Sequence, residues 1–163
     1  MANEFEKSQQ YVSGSTVAEY LDTYLLARGW EVRATSQQEE RTLCLGDRYI
    51  AKANRSYFIE YKSGIQTHYT GNVFIETISV DTDGKPGWLY TCKADFLLYA
   101  CILDGCILVF KPDDLRSKAP MLVKRYPTRP TSNGQNVGYK THGLLVPLAD
   151  ARSFAYRVWT VPN

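Results

Sequence analysis

Apolar residues Val17, Tyr20, Leu21, Tyr24 and Leu25 recur three and four positions apart, the spacing that lines one face of an α-helix. A helix is expected over about 16–28, capped by Ser13 or Ser15 and ended by Gly29. The polar residues ahead of it, about a dozen, should fray. Trp30 to Arg33 reads as a short strand, and TSQQEER as a polar loop. DRYIAK and SYFIEYK then flank Ala53-Asn54-Arg55, which is a hairpin signature. A loop over 63–70 and a third long strand, Asn72 to Val80, follow, and Asp81 to Gly87 is a turn by content.

Further on, Thr91 is expected to cap a helix running to about Leu103, stopped by Asp104-Gly105. CILVF (106–110) reads as a buried strand. Pro112, with Asp113 and Asp114 in the first turn, opens a short helix. Residues 125–142 read as a long loop, and GLLVPL and SFAYRVWTV as a strand and an edge strand. This order predicts a single α/β domain over residues 1–163, a sandwich around a mixed sheet.

Composition narrows the function without choosing it. The chain has 163 residues, enough for one domain with a real core. A net charge of +2 excludes a uniformly basic polyanion binder. Phosphate contacts would need local clustering, which Lys124, Arg125, Arg129 and Lys140 offer in and beside the 124–142 loop, with Tyr126 and Tyr139 free to stack. The four cysteines form no CxxC pair and lie far from His68 and His142, so no zinc site is expected. Cys101 and Cys106 sit in apolar runs and read as buried free thiols. MANEFEKSQQ lacks an apolar centre, so no secretory signal is expected, and no run approaches a membrane span. A reducing cytoplasm is the expected setting.

The chemistry is concentrated in YFIEYKSG. On a strand, Phe58, Glu60 and Lys62 share one face, with Glu60 and Lys62 about 7 Å apart along it. Alone, such a pair reads as a surface ion pair on a sheet. Asp47 changes the reading, because the hairpin returns the chain and sets it beside Glu60. Two carboxylates and a lysine suit phosphodiester hydrolysis: Mg²⁺ binds one or two carboxylates plus waters and phosphate, and a lysine stabilises developing charge. Their functional atoms should meet within roughly 7 Å.

The pattern D47-(x)12-E60-Y61-K62 resembles the PD-(D/E)XK nuclease motif, with Gly46 where that superfamily carries proline. The element order over about 15–115, KADFLLYACILDGCILVF included, is similar to its αβββαβ core. The resemblance implies a restriction-endonuclease-like fold and a Mg²⁺- or Mn²⁺-dependent endonuclease acting on DNA. It makes Asp47 and Glu60 metal ligands, with Lys62 activating water. It also places Glu19, on the first helix, near the metal, as in Holliday junction resolvase-like branches, and leaves Glu76 either directed at the site or edge-exposed.

The HYTGNVFIET and T-x-K-A-D stretches resemble small phage and bacterial members, which would put Thr70, Gly71 and Asn72 near the DNA backbone. Lys93, at the expected helix N-terminus, would meet phosphate. Asp95 is read as a helix N-terminal charge, and His68 and His142 as solvent-exposed. Two rivals stand beside the nuclease: a catalytically inactive nucleic-acid-binding protein that keeps the fold, and an unrelated α/β protein whose Glu60–Lys62 pair is only a surface ion pair. A homodimer is left open.

Overall fold

In the computed structural model, which describes residues 14–131 and 138–162, the first helix is α1 (Gly14–Leu26). It buries Val17, Leu21 and Leu25, the face its spacing marks. The expected fraying of the first dozen residues and the Ser13 cap fall outside what is described, and Ser15 lies within the helix rather than ahead of it. Gly29, with φ of 79°, turns the chain into β1 (Glu31–Ala34). The polar segment after it is not an open loop, because Gln38–Thr42 closes a π-helical turn.

The expected hairpin is present. β2 (Arg48–Lys52) runs antiparallel to β3 (Arg55–Ser63), with Tyr49 opposite Phe58. Residues read as a loop then form α2 (Ile65–Thr70), ended by Gly71 at φ 72°. β4 (Asn72–Val80) is the predicted long strand, followed by β5 (Lys85–Pro86) and the single-turn α3 (Trp88–Thr91).

The largest departure is at 91–103. No helix begins at Thr91. Instead β6 (Phe96–Cys101) leads through a 3₁₀ turn (Ile102–Asp104) into β7 (Cys106–Phe110). FLLYAC is apolar throughout, and periodicity does not separate a doubly buried strand from a buried helix. β6 lies between β3, to which it is parallel, and β7, to which it is antiparallel. Leu97, Tyr99 and Cys101 enter the core under the second sheet, while Leu98 and Ala100 enter the core under α1. A parallel pair needs a long crossover, and the chain from α2 through α3 provides it.

The C-terminal third follows as α4 (Pro112–Arg125), β8 (Thr128–Thr131), β9 (Thr141–Pro147), α5 (Leu148–Phe154) and β10 (Arg157–Thr160). Much of the described part of the loop expected over 124–142 is therefore helix or strand. Lys124 and Arg125 sit in the last turn of α4, Arg129 lies in β8, and Lys140 precedes β9. The closing stretch read as one strand divides between α5 and β10, and β10 does form an edge.

The protein is thus a mixed α/β fold with two sheets. The larger has six strands in the order β1-β2-β3-β6-β7-β10, and the smaller is antiparallel, β5-β4-β9-β8. α1 covers one face of the large sheet. The small sheet, α3, α4 and α5 pack on the other. β4 therefore does not extend the hairpin sheet. Its Val73 and Ile75 are fully buried while Phe74 and Glu76 are only partly so, which suits a covering layer; the place beside β3 goes to a strand apolar on both faces. Cys101 and Cys106 pair across β6 and β7 as buried free thiols, as expected, and burial pushes the Cys101 thiol up to about 12. Among the described residues no helix is long and apolar enough to cross a membrane.

Burial on both faces of β6 predicts that Leu97→Ala and Leu98→Ala each cost about 2–5 kcal/mol in urea unfolding, because each opens a cavity in a different core. A near-neutral result for either would contradict the two-sided burial of this strand.

Candidate active site

β3 presents its residues to two different surroundings. Tyr61 pairs with Leu98 and points into the α1 core, where its hydroxyl donates to Asp22 Oδ1 at 2.9 Å. The same carboxylate receives Arg48 Nε at 3.0 Å, so α1, β2 and β3 are tied at one point. Burial, with the Asp22 charge, pushes the Tyr61 pKa well above the usual phenol range. Glu60 and Lys62 pair with Leu97 and Tyr99, which face the second sheet, so both project away from α1.

Asp47 arrives at the same place from β2. Arg48 pairs with Ile59, so the next step along the register sets Asp47 beside Glu60. Its N–H donates to Ile59 O at 2.8 Å, and its Oδ2 accepts the Tyr61 N–H at 2.7 Å. Gly46 makes this approach feasible. It has φ of 98°, and a Cβ there would lie 2.5 Å from Ile59 O, inside van der Waals contact. The residue in the expected proline position is therefore one that only glycine fills without strain.

Asp47, Glu60 and Lys62 line one cleft of about 330 Å³. Lys62 Nζ lies 2.6 Å from Glu60 Oε1. Burial pushes the Glu60 pKa up; Asp47 and Glu40 add to the shift, and Lys62 offsets only part of it. For Lys62, burial acts downward, but the charges of Glu60, Asp47 and Glu76 outweigh it and leave the ammonium above its ordinary value. Glu76 accepts the Trp88 N–H at 3.2 Å behind this cluster. Its pKa is raised by burial, with Lys62, the Trp88 N–H and Lys85 opposing.

Two charged residues that line the cleft were not singled out in the sequence, Glu40 and Arg41. Both come from the π-helical turn. Arg33 clasps Glu39 through two bonds of 3.0 Å, and the Ser36 N–H donates to the same carboxylate at 2.7 Å. Leu45 N–H donates to Glu39 O, and Thr35 Oγ1 to Gly46 O, so the turn is stitched to the segment that leads into Asp47. The crowding of charge in QEER, close before Gly46-Asp47, was the available signal. Trp88, Thr91 and Cys92 also line the cleft.

The remaining predicted site residues lie elsewhere. Glu19 is exposed on α1, the helix covering the sheet face opposite the one that carries Glu60 and Lys62, and it does not line the cleft. Thr70, Gly71 and Asn72 join α2 to β4: Asn72 Nδ2 donates to Thr70 O at 2.9 Å, and none of the three lines the cleft. Lys93 is exposed and starts no helix; its N–H donates to Cys44 O, which keeps it at the cleft rim beside Cys92. Asp95 is likewise no helix charge. Its Oδ2 accepts the Phe58 N–H at 2.7 Å and locks the start of β6 to β3. His68 meets Asp104 at 3.2 Å and His142 meets Asp81 at 3.1 Å, both away from the cleft. Lys124, Arg125, Arg129 and Lys140 are exposed and do not line it either.

Asp47 and Glu60 are the adjacent oxygen donors that the cleft offers to a cation. Among the described residues no group of three His, Cys, Asp or Glu side chains converges to hold a metal ion. Comparison with protein families, with curated proteins and with solved structures gives no match.

The raised Glu60 pKa has a definite sign in stability. Its contribution is fully present below the unfolded carboxylate pKa, about 4.3, and is lost as pH rises through the folded value. Glu60→Gln removes that loss. In urea unfolding from pH 4 to 7, the stability of Glu60→Gln relative to wild type should rise with pH. A difference that is flat or falls would show that Glu60 ionises without penalty in the folded protein.

Proposed function

We propose that this protein is a Mg²⁺-dependent endonuclease that hydrolyses DNA phosphodiester bonds, with a restriction-endonuclease-like core. One observation carries the reading: Asp47, Glu60 and Lys62 line a single cleft, and Asp47 is fixed to the backbone N–H between the other two. The elements that carried the resemblance do not keep their places, because β4 joins the second sheet and 96–101 is a strand; a helix, three antiparallel strands and a crossover to a parallel strand remain compatible with an αβββαβ core.

The donor set fits Mg²⁺, which takes one or two carboxylates and fills its remaining positions with waters and substrate phosphate. Burial, with smaller contributions from Asp47 and Glu40, pushes Glu60 up, and a divalent cation in the cleft would favour its charged form. Asp47 and Glu60 would hold the ion; when bound, it supplies a water of lowered pKa and offsets phosphate charge. Lys62 keeps its proton and directs ammonium hydrogens into the cleft, where they orient an attacking water or meet developing charge on phosphate oxygen. Arg41, which also lines the cleft, and Lys93, at the rim, supply cations for the adjoining phosphates. Lys124, Arg125, Arg129 and Lys140 are further phosphate contacts that a long substrate can reach, and Glu19 has no part in this assignment.

A second reading is favoured by the absence of a third converging ligand among the described residues: a nucleic-acid-binding protein that keeps the fold without catalysis. Mn²⁺ titration separates the two, since only the first requires saturable binding that Asp47→Ala and Glu60→Ala remove.

In a plasmid-nicking assay with Mg²⁺, Asp47→Ala and Glu60→Ala should each abolish cleavage while DNA affinity holds or improves, because a carboxylate that repels phosphate is gone. Lys62→Ala should slow cleavage about 10²–10³-fold. Substantial Mg²⁺-dependent cutting by both carboxylate variants would reject them as ligands.

A further inference from the structure

On the α1 side of the large sheet, beyond the C-terminal end of α1, four aromatic rings stand in a row. Trp30 is 5.9 Å from Tyr57, Tyr57 is 5.2 Å from Phe96, and Phe96 is 5.7 Å from Tyr156, centroid to centroid. The rings come from four separate segments: the approach to β1, β3, β6 and the approach to β10. Each end of the row carries two cations. Lys52 Nζ and the Arg55 guanidinium lie 6.0 and 5.8 Å from the Trp30 ring, and Lys111 Nζ and the Arg157 guanidinium lie 4.1 and 5.3 Å from the Tyr156 ring.

The row borders a groove of about 220 Å³, which Arg55 and Arg157 also line and no carboxylate does. A ring row serving only as a lid on the core would be covered, yet Tyr156 is 45% exposed and the other three rings are partly open. Charge argues in the same direction. The whole chain carries only +2, so two arginines lining one apolar groove, with Lys52 and Lys111 against the rings at its ends, mark a local preference for a polyanion. The cleft on the opposite face is acidic by contrast.

We propose that this groove binds single-stranded nucleic acid, with bases stacking on Tyr156 and its neighbours and phosphates meeting the cations at the two ends. Rings interleaved with Lys and Arg are the means by which proteins hold unpaired strands, because every base has a face to stack while a duplex hides those faces. This site is separate from the cleft and does not depend on its chemistry.

The test uses fluorescence anisotropy with a twelve-nucleotide oligothymidylate and a duplex of equal length, without divalent metal, so that cleavage has no bearing on it. The wild-type protein should prefer the single strand. Tyr156→Ala should weaken that binding about 5- to 100-fold, the loss of one stacked base, while Tyr156→Phe retains it. Arg55→Ala with Arg157→Ala should reduce the slope of log K against log salt by about 1.4, two phosphate contacts on a single strand. Should Tyr156→Ala not fold, wild-type protein photocrosslinked to an oligonucleotide carrying 5-iododeoxyuridine should be labelled on the peptide holding Tyr156 and Trp159.

Unchanged affinity and slope in folded variants would overturn the proposal, as would crosslinks confined to the cleft. So would a Tyr156→Ala variant that only converts a dimer to a monomer in sedimentation, since the groove's occupant would then be a second copy. None of these results bears on nicking by the cleft.

Discussion

The cleft depends on how β3 is held at Tyr61. That residue's ring is bound into the α1 core by Asp22, its N–H is taken by Asp47, and its two neighbours face the other way. Side chains alternate along a strand, so a one-residue slip would send Glu60 and Lys62 into the α1 core. Such a slip would bury two charges in an apolar layer and expose Ile59 and Tyr61. Register and site are therefore the same constraint, enforced from both faces of the sheet. Asp95 adds a further restraint by fixing β6 to the Phe58 N–H, so that the strand supporting Glu60 and Lys62 cannot shift along β3.

Around that strand, the charge on the two faces of the large sheet is divided. On the second-sheet side, Asp47 and Glu60 share a cleft with Glu40, and only Lys62 and Arg41 oppose them there. Burial raises the Glu60 pKa, and Asp47 and Glu40 add to the shift that Lys62 opposes. On the α1 side, the apolar layer ends before the sheet does, and rings with flanking cations cover what α1 leaves open. A protein with a net charge of only +2 thus lines one cleft mainly with carboxylates and one groove with arginines. Net charge alone averages the two away.

Much of this was legible because it is local. Helical spacing in α1, alternation in β3 and the turn at Ala53-Asn54 each lie within a dozen residues, and each specifies one conformation. Alternation also set Glu60 and Lys62 on one face, and the hairpin length returned Asp47 to their side. The free thiols of Cys101 and Cys106 followed from the apolar runs that hold them.

What the sequence left open was decided by partners distant in the chain. FLLYAC has no period because it is buried from both sides, and only the two cores that receive Leu97 and Leu98 make it a strand rather than a helix. Once it is a strand, Lys93 and Asp95 lose the helix terminus assigned to them, and Asp95 becomes a clamp on β3. β4 joined the second sheet because only one of its faces is fully buried, which a run of nine residues does not reveal until its partner β9, some seventy residues on, is in place. Glu40 and Arg41 reached the cleft because Arg33 and Ser36 wound a polar segment into a π-helical turn. Periodicity reports the faces of one element; which faces meet is settled by packing between elements, and that information exists only in three dimensions.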